Sequence, residues 1–263
     1  MTTITSADNP RFRELFKLRQ SGRERRKSGL ALLEGVHLVE ACHQHRGPPE
    51  QLIINEDRRG DAEIAALLAA LAPIETVTFS AKLFARLSSV DTPTGILAVI
   101  RAPTRSTPPA QPGPCVILED IQDPGNLGSI LRSTAAAGLR EVYLSRACAD
   151  VWSQRVLRAG MGAHFLLDIH DGVEIRELVG RFPGRIVATH LHARQSLYDT
   201  DLTGTIGLVF GNEGAGLSRA VLDAAKEIVA IPMPGATESL NIAAAAAVCL
   251  FERVRQGTIR TRE

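Results

Sequence analysis

Short apolar runs alternate with longer amphipathic segments along almost the whole chain of 263 residues. In the C-terminal half the apolar runs are continuous, which is typical of parallel strands covered on both faces. Because helical segments separate these runs, we expect a mainly parallel sheet with right-handed crossovers. The predicted strands are residues 115–118, 141–144, 165–168, 185–189, 206–210 and 228–231.

The N-terminal hundred residues show the same alternation on a smaller scale, which predicts a small α/β domain. The predicted strands are residues 30–33, 52–54, 76–79 and 95–100. The predicted helices are residues 10–18, 35–45, 62–71 and 81–87. Both halves of the chain therefore belong to the α/β class.

A proline-rich segment over residues 102–114 separates the two halves. It contains five prolines and almost no residue that could enter a core. Such a segment is extended and fairly stiff, so we predict a linker. The predicted division is a first domain over residues 1–101, the linker over 102–114 and a second domain over 115–263.

Two helices of the second half have recognisable starts. Asn126 is the predicted N-cap of the helix after strand 115–118, with Gly138 as its C-terminal stop. Ser239 is the predicted N-cap of the final helix. Arg132 lies roughly 100–150° from the apolar stripe of its own helix, at 100° per residue. We therefore expect the Arg132 side chain to project away from the core.

The composition excludes several classes of protein. The longest unbroken apolar run, residues 242–251, is too short to span a bilayer, and the N-terminus does not resemble a signal peptide. The four cysteines are widely spaced, with no CxxC pair and no clustered histidine. We therefore expect no membrane segment, no metal site and no disulfide framework, and we expect a cytoplasmic location.

Positive charge is concentrated at the start of the chain. Residues 1–27 contain eight Lys or Arg and three Asp or Glu, which gives a formal charge of +5, whereas the whole chain carries +1. A localised basic arm can contact phosphates even when the protein is nearly neutral. A solvated charged helix explains the same pattern, and both interpretations stay open.

Three turns directly follow predicted strands. They are Asp123-Pro-Gly-Asn-Leu-Gly, Gly211-Asn-Glu-Gly-Ala-Gly-Leu, and Ile231-Pro-Met-Pro-Gly followed by Ser239-Leu-Asn-Ile. Free backbone N–H groups at such turns can bind a polar ligand at the carboxyl edge of a parallel sheet. The spacing G-x-x-G-x-G matches neither the dinucleotide fingerprint nor a P-loop, which argues against an NAD or ATP enzyme.

These three segments, together with Arg132, resemble the three motifs of the SpoU (TrmH-type) RNA ribose 2′-O-methyltransferases of the SPOUT superfamily, in the family's order. Residues 33–40, L-E-G-V-H-L-V-E, resemble the family's N-terminal substrate-binding domain. The resemblance implies an RNA methyltransferase that uses S-adenosylmethionine. It also implies a C-terminal α/β knot that binds this cofactor, and a homodimer whose active site lies at the subunit interface.

The resemblance further assigns roles to individual residues. Backbone groups of Gly211, Ile231 and Leu240 are expected to contact the adenosine part of the cofactor, and Thr189 is expected to form another wall of the same pocket. The implied catalytic residues are Arg132, Asn126, Glu213, Ser239 and Asn241. Among them Arg132 takes the central role and reaches the cofactor of the partner subunit.

The separate N-terminal domain and the basic arm favour a large, folded RNA as the substrate. A ribose 2′-hydroxyl of 23S rRNA is the favoured target. A tRNA ribose 2′-O-methyltransferase is the alternative, and an inactive RNA-binding factor of the same fold is a less favoured one. A nucleotide-dependent oxidoreductase is the alternative from a different class.

Overall fold

The protein divides into two compact units that do not simply follow the order of the chain. A computed structural model describes residues 3–103 and 109–260, with only the backbone described at 259 and 260. Residues 104–108 of the predicted linker lie outside the described residues. The first unit is Met1–Thr104 with Trp152–Phe165, and the second is Arg105–Val151 with Leu166–Glu263.

The described part of the first unit contains a mixed sheet of order β1-β4-β3-β5-β2. The strands are β1 (Thr3–Ile4), β2 (Leu30–Glu34), β3 (Gln51–Asn55), β4 (Thr76–Phe79) and β5 (Ile96–Arg101). The helices are α1 (Pro10–Gln20), α2 (Gly22–Ser28), α3 (Val36–Arg46), α4 (Ala62–Ala70) and α5 (Ala81–Leu87). β5 runs antiparallel to β2 and β3, whereas β1 and β3 run parallel to β4.

The core of this unit lies between the sheet and its helices. Asn9 caps α1 by accepting the N–H of Arg11 at 3.0 Å, and Pro10 occupies the first helical turn, where its missing N–H costs nothing. Phe12 and Leu15 of α1 then pack on strand residues such as Phe79. All strands and helices predicted for this half are present, whereas β1 and α2 were not predicted.

The described part of the second unit contains a wholly parallel sheet of order β10-β12-β9-β11-β6-β7-β8, which confirms the predicted fold class. The strands are β6 (Cys115–Leu118), β7 (Glu141–Leu144), β8 (Asp168–His170), β9 (Arg185–Thr189), β10 (Gln195–Ser196), β11 (Ile206–Phe210) and β12 (Glu227–Ala230). The helices that follow in the chain are α6 (Pro124–Ala136), α7 (Gln154–Gly160), α8 (Ile175–Arg181), α9 (Arg219–Ala224) and α10 (Ile242–Arg260).

The helix α7 packs with the first unit although the chain around it belongs to the second. Gln154 donates a hydrogen bond from Nε2 to the carbonyl of Leu87 at 3.1 Å, and Arg46 donates from Nε to the carbonyl of Phe165 at 3.0 Å. The predicted second domain, residues 115–263, includes this segment. In the structure the segment packs with the first unit. Packing of α7 against β2 places this segment in the first unit, and the two long-range hydrogen bonds add to that packing.

One predicted strand is wrong. Residues 165–168 do not form a strand: Ala163–Phe165 form a short 3-10 helix, and β8 begins only at Asp168. Phe165 and Leu167 of this run are buried, whereas Leu166 between them is 45% exposed. The run therefore lacks the continuous burial of a strand covered on both faces.

The predicted caps of two helices are also wrong. Asp123 caps α6 by accepting the N–H of Asn126 at 2.7 Å, because Pro124 takes the first helical position. Asn241, and not Ser239, caps α10 by accepting the N–H groups of Ala243 and Ala244 at 2.9 and 3.3 Å. Gly138, with φ +77°, ends α6 as predicted.

Within the described residues, no helix has both the length and the hydropathy needed to cross a membrane. The same residues contain no cluster of three or more His, Cys, Asp or Glu side chains that could hold a metal ion.

Arg25 belongs to the predicted basic arm but is a structural residue. It is buried, and its guanidinium donates hydrogen bonds to the carbonyls of Leu18 and Arg19 at the C-terminus of α1. Its neighbours Arg23, Arg26 and Lys27 are exposed. The exposed charge of this arm is therefore smaller than the sequence indicates.

We expect Arg25→Met to lower the free energy of unfolding by about 1–3 kcal/mol, because it leaves the buried carbonyls of α1 without donors. Arg26→Met, on the exposed face of the same helix, is the matched control and should change stability by less than about 0.5 kcal/mol. Urea denaturation of the full chain measures both values. Equal stability of the two variants would contradict the structural role of Arg25.

Candidate active site at the carboxyl edge of the parallel sheet

The three predicted motif segments meet at one edge of the second sheet. β12, β9, β11 and β6 are consecutive neighbours in that sheet and run parallel, so the loops at their carboxyl ends emerge side by side. These loops are residues 190–194 after β9, 211–218 after β11, 231–241 after β12 and 119–123 after β6. Parallel pairing therefore brings together segments that lie up to about 120 residues apart in the sequence.

The turn after β11 is closed by its own backbone. Asn212 and Gly216 exchange two backbone hydrogen bonds of 3.0 and 2.9 Å, and Gly216 has φ +71°, in the left-handed region. The side-chain Oδ1 of Asn212 accepts the N–H groups of Gly214 and Ala215, both at 2.9 Å. A Cβ at Gly211 would lie 2.4 Å from backbone atoms of Gly216 and Leu217. Only glycine fits at the start of this turn.

Glu213 joins the turn after β11 to the start of α6. Its carboxylate accepts the backbone N–H of Asp123 at 3.1 Å, that of Gln122 at 3.3 Å and the side-chain amide of Asn126 at 3.2 Å. Asn126 in turn accepts the side-chain amide of Asn241 at 2.9 Å. We call Asn126, Glu213 and Asn241 the three-segment junction, since each comes from a different motif segment.

The junction keeps Glu213 ionised. Burial acts to raise the pKa of this carboxyl, but hydrogen bonds from its own backbone N–H, from Asn126 and from the N–H groups of Asp123 and Gln122 outweigh burial and lower the pKa. A carboxylate with a lowered pKa and several donors is a poor acceptor for a further proton. The geometry therefore favours a positioning role for Glu213.

Further residues that the sequence reasoning missed complete this edge. Glu119 accepts the N–H and the hydroxyl of Ser218 at 2.8 and 2.7 Å, and the side chain of Asn212 donates to the carbonyl of Asp120 at 2.8 Å. Asp120 has φ +57°, and its carboxylate accepts the hydroxyl of Ser145 at 2.5 Å. No local sequence signal marks these pairs, because their partners are about 25 to 99 residues apart.

A cavity of about 300 Å³ opens beside the junction. Its walls come from the loops after β9, β11 and β12 and from the first turns of α10. The residues that line it include Thr189, Gly211, Ile231, Ser239 and Leu240, together with His190 and His192. This volume lies at the lower end of the range for small-molecule sites, which are concave and mostly apolar with a few polar groups.

The structure brings most of the predicted site residues together. The four residues predicted to contact the cofactor, Thr189, Gly211, Ile231 and Leu240, all line the cavity, as does Ser239. Asn126, Glu213 and Asn241 form the adjacent junction. The hydroxyl of Thr189 donates to the carbonyl of Val209 at 3.1 Å, so this side chain also has a structural contact.

Arg132 lies apart from these residues. It is exposed on α6, does not line the cavity, and has no hydrogen-bond or ion-pair partner among the described residues of its own chain. The catalytic roles of Arg132, Asn126, Glu213, Ser239 and Asn241 remain predictions.

Comparison with known families gives two matches that together span most of the chain. The model of the SpoU rRNA Methylase family matches residues 113–251. The model of the MRM3-like substrate binding domain matches residues 9–98.

Individual relatives match along almost their whole length. An uncharacterized tRNA/rRNA methyltransferase of Synechocystis sp. is 35% identical, over 97% of this chain and 94% of that protein. The 23S rRNA (guanosine(2553)-2′-O)-methyltransferase RlmP of Bacillus subtilis is 30% identical, over 95% of this chain and 98% of that protein.

A solved structure gives the same result. The SpoU methyltransferase AviRb from Streptomyces viridochromogenes, in complex with the cofactor AdoMet, matches with a TM-score of 0.80 and 29% identity, over 95% of this chain and 99% of that one. With both family models, the fold and the motif geometry in agreement, the chain belongs to the SpoU rRNA methylase family.

Proposed function

We propose that this protein transfers a methyl group from S-adenosylmethionine to a ribose 2′-hydroxyl of 23S rRNA. The observation that carries the proposal is the three-segment junction beside the cavity. It fixes the three motif segments of a SpoU methylase in one place through side-chain hydrogen bonds of 2.9 and 3.2 Å. The relative RlmP, which covers nearly the whole chain, is named for this reaction on 23S rRNA.

The residues of the cavity fit the cofactor. Ile231 and Leu240 provide apolar walls suited to an adenine ring, and the backbone at Gly211 is free of a side chain. Peptide N–H and C=O groups can match the donor and acceptor pattern of an adenine edge. When bound, S-adenosylmethionine supplies an electrophilic methyl group on a sulfonium, which is already a good leaving group.

The protein must then align the ribose oxygen and help it lose its proton. Alignment alone contributes on the order of 7–11 kcal/mol in favourable cases. Arginine is effectively always protonated, so Arg132 is a poor general base. We propose that its guanidinium stabilises the developing alkoxide and grips the adjacent phosphate, while that phosphate or a water accepts the proton. Ser239 lines the cavity and Asn241 belongs to the adjacent junction, and both remain in the proposed catalytic set.

We propose a homodimer in which Arg132 of one protomer serves the cavity of the other. The isolation of Arg132 within its own chain supports this arrangement. A second support is Phe251 of α10, which is half exposed on a helix that packs against α6. The small residues from Ala243 to Ala247 suit a C-terminal α/β knot, since they allow close passage of another segment.

The division of labour between the domains is also a proposal. Residues 1–101 would bind the RNA and residues 115–263 would bind the cofactor and carry out the transfer. A tRNA substrate stays open, because the name of the Synechocystis relative includes both tRNA and rRNA. We also propose a cytoplasmic location, since ribosomal RNA is modified in the compartment where ribosomes are assembled.

Transfer of tritiated methyl groups from S-adenosylmethionine into 23S rRNA tests the function. We expect Arg132→Ala to lower the rate by about 100-fold or more, the loss typical of removing one donor to a developing oxyanion. Arg132→Lys keeps the charge but loses the planar fork, so it should also lose most of the activity. Normal turnover of Arg132→Lys would refute the phosphate-gripping role, and equal transfer into tRNA and rRNA would refute the substrate assignment.

Heterodimers purified through two different tags test whether Arg132 acts across the interface. One protomer carries Arg132→Ala and the other Gly211→Ala. If Arg132 acts in trans, one of the two sites is intact and the heterodimer should regain about half of the wild-type rate. The assay uses S-adenosylmethionine well below the Kd of the Gly211→Ala variant. If Arg132 serves its own protomer, both sites stay defective under this condition and the rate should remain far below half of the wild-type rate.

Gly211→Ala should lower the affinity for S-adenosylmethionine about 10-fold or more, because its Cβ would force the turn after β11 apart. Gly180→Ala in α8 is the control in the same unit, since Gly180 does not line the cavity and its Cβ would meet nothing within 4 Å. Calorimetry with both variants measures the two affinities. Equal binding by both would mean that the turn after β11 does not shape the cofactor site.

The exposed part of the basic arm gives a separate prediction. Neutralising Arg23, Arg26 and Lys27 to Gln, with Arg25 kept, should weaken RNA binding. The slope of log K against log salt should fall by about 0.7–0.9 for each phosphate that the arm no longer neutralises. Affinity for S-adenosylmethionine should stay unchanged. An unchanged salt slope, equal to that of an Arg59→Gln and Lys82→Gln control, would identify the arm as a solvated helix.

A further inference from the structure

The cavity beside the three-segment junction has an unusual charge composition. Among the described residues, its lining contains no Asp, Glu, Lys or Arg, so the titratable side chains that line it are His190 and His192. The proposed ligand is a cation at sulfur, whereas the product that remains after methyl transfer, S-adenosylhomocysteine, is a neutral thioether with the same adenosine and amino-acid groups. Within the described lining, a change of side-chain charge can occur only at these two histidines, and a positive charge there acts differently on the donor and on the product.

The two histidines are held in a defined arrangement. Nδ1 of His190 accepts the backbone N–H of His192 at 3.2 Å, and the two rings lie edge to face with centroids 5.9 Å apart. The backbone N–H of His190 is bound to the carbonyl of Val229 at 2.9 Å, which fixes the loop to β12. With Nδ1 as an acceptor, the neutral His190 ring carries its proton on Nε2. Uptake of a second proton would convert Nδ1 into a donor and remove this hydrogen bond.

Charged side chains also lie on the elements around this loop. Arg194 follows on the same loop and is exposed, and Glu238 lies exposed on the loop after β12. Glu213 on the turn after β11 is held by the three-segment junction. Glu227 of β12 is paired with Arg185 of β9 at 2.6 Å. None of these charged side chains lines the cavity.

We propose that His190 and His192 make the cavity sensitive to the charge of its ligand. When the imidazoles are protonated, the cavity holds cationic S-adenosylmethionine less well relative to neutral S-adenosylhomocysteine. The inference rests on the proposed function, since it takes the cavity as the cofactor site. Its consequence is that acid favours retention of the product over loading of the donor, whereas neutral or alkaline conditions favour the donor.

The size of the cavity sets the expected effect. A sulfonium bound in a cavity of about 300 Å³ lies on the order of 8 Å from the imidazoles that line it. One unit charge at that distance, in a partly hydrated site, changes a binding constant by about 2- to 10-fold.

Calorimetric titration of the full-length protein with each ligand, from about pH 5.5 to 8.5, tests the proposal. We expect the ratio of the Kd for S-adenosylmethionine to the Kd for S-adenosylhomocysteine to rise about 2- to 10-fold as the pH falls. In a His190→Asn, His192→Gln double variant, whose amides keep hydrogen-bonding groups near the ring nitrogens, this rise should disappear. The amino groups of the ligands titrate in both proteins, so their contribution cancels in the comparison.

A matched control and a second readout separate the possible outcomes. His43→Gln with His45→Gln, two exposed positions on α3, should leave the wild-type pH dependence intact. NMR titration of the imidazole C–H signals is carried out without ligand and again with each ligand. At a given pH, a smaller fraction of the imidazoles should be protonated with S-adenosylmethionine bound than with S-adenosylhomocysteine bound.

A constant Kd ratio in the wild type, or the same rise in the double variant, would overturn the role of the histidines and leave the cofactor assignment in place. Failure of both ligands to bind at every pH would instead overturn the cofactor assignment, and this inference with it.

Discussion

The candidate site depends on the hydrogen bonds that the carboxylate of Glu213 accepts. This carboxylate accepts hydrogen bonds from the start of α6 and from Asn126, which in turn holds Asn241 at the start of α10. A parallel sheet places the loops at one edge but does not by itself fix one loop relative to the next. Charge-assisted hydrogen bonds supply that missing constraint, and the close backbone approach at Gly211 makes it rigid.

The three-segment junction separates the predicted catalytic residues that hold the site in shape from those that lie outside it. Asn126, Glu213 and Asn241 have their main hydrogen-bonding groups engaged with one another and with the backbone. Such residues hold a cavity in shape and are poorly suited to exchange protons. Arg132, exposed and without a partner among the described residues of its own chain, and Ser239 in the cavity lining are the members of the predicted catalytic set that lie outside this junction.

The chain crosses between the two units more often than a simple two-domain division predicts. Trp152–Phe165 packs with the first unit although it lies within the residues that match the SpoU methylase model. The chain therefore passes between the units after residue 104, again after residue 151 and again after residue 165. A single linker cannot describe this connection, and cutting the chain at residue 114 would separate α7 from the unit that buries it.

The amino-acid sequence alone determined the elements and the motif set. Continuous apolar runs located β6, β7, β9 and β11 because strands covered on both faces must be apolar throughout. Only the tertiary structure decided what depends on distant partners: that Asp123 and Asn241 are the caps, that Arg25 is buried, and that residues 163–165 pack with the first unit. Local pattern reports how apolar or polar a residue is. It does not report which of several distant groups will satisfy that residue, because only the folded chain brings those groups within hydrogen-bonding distance.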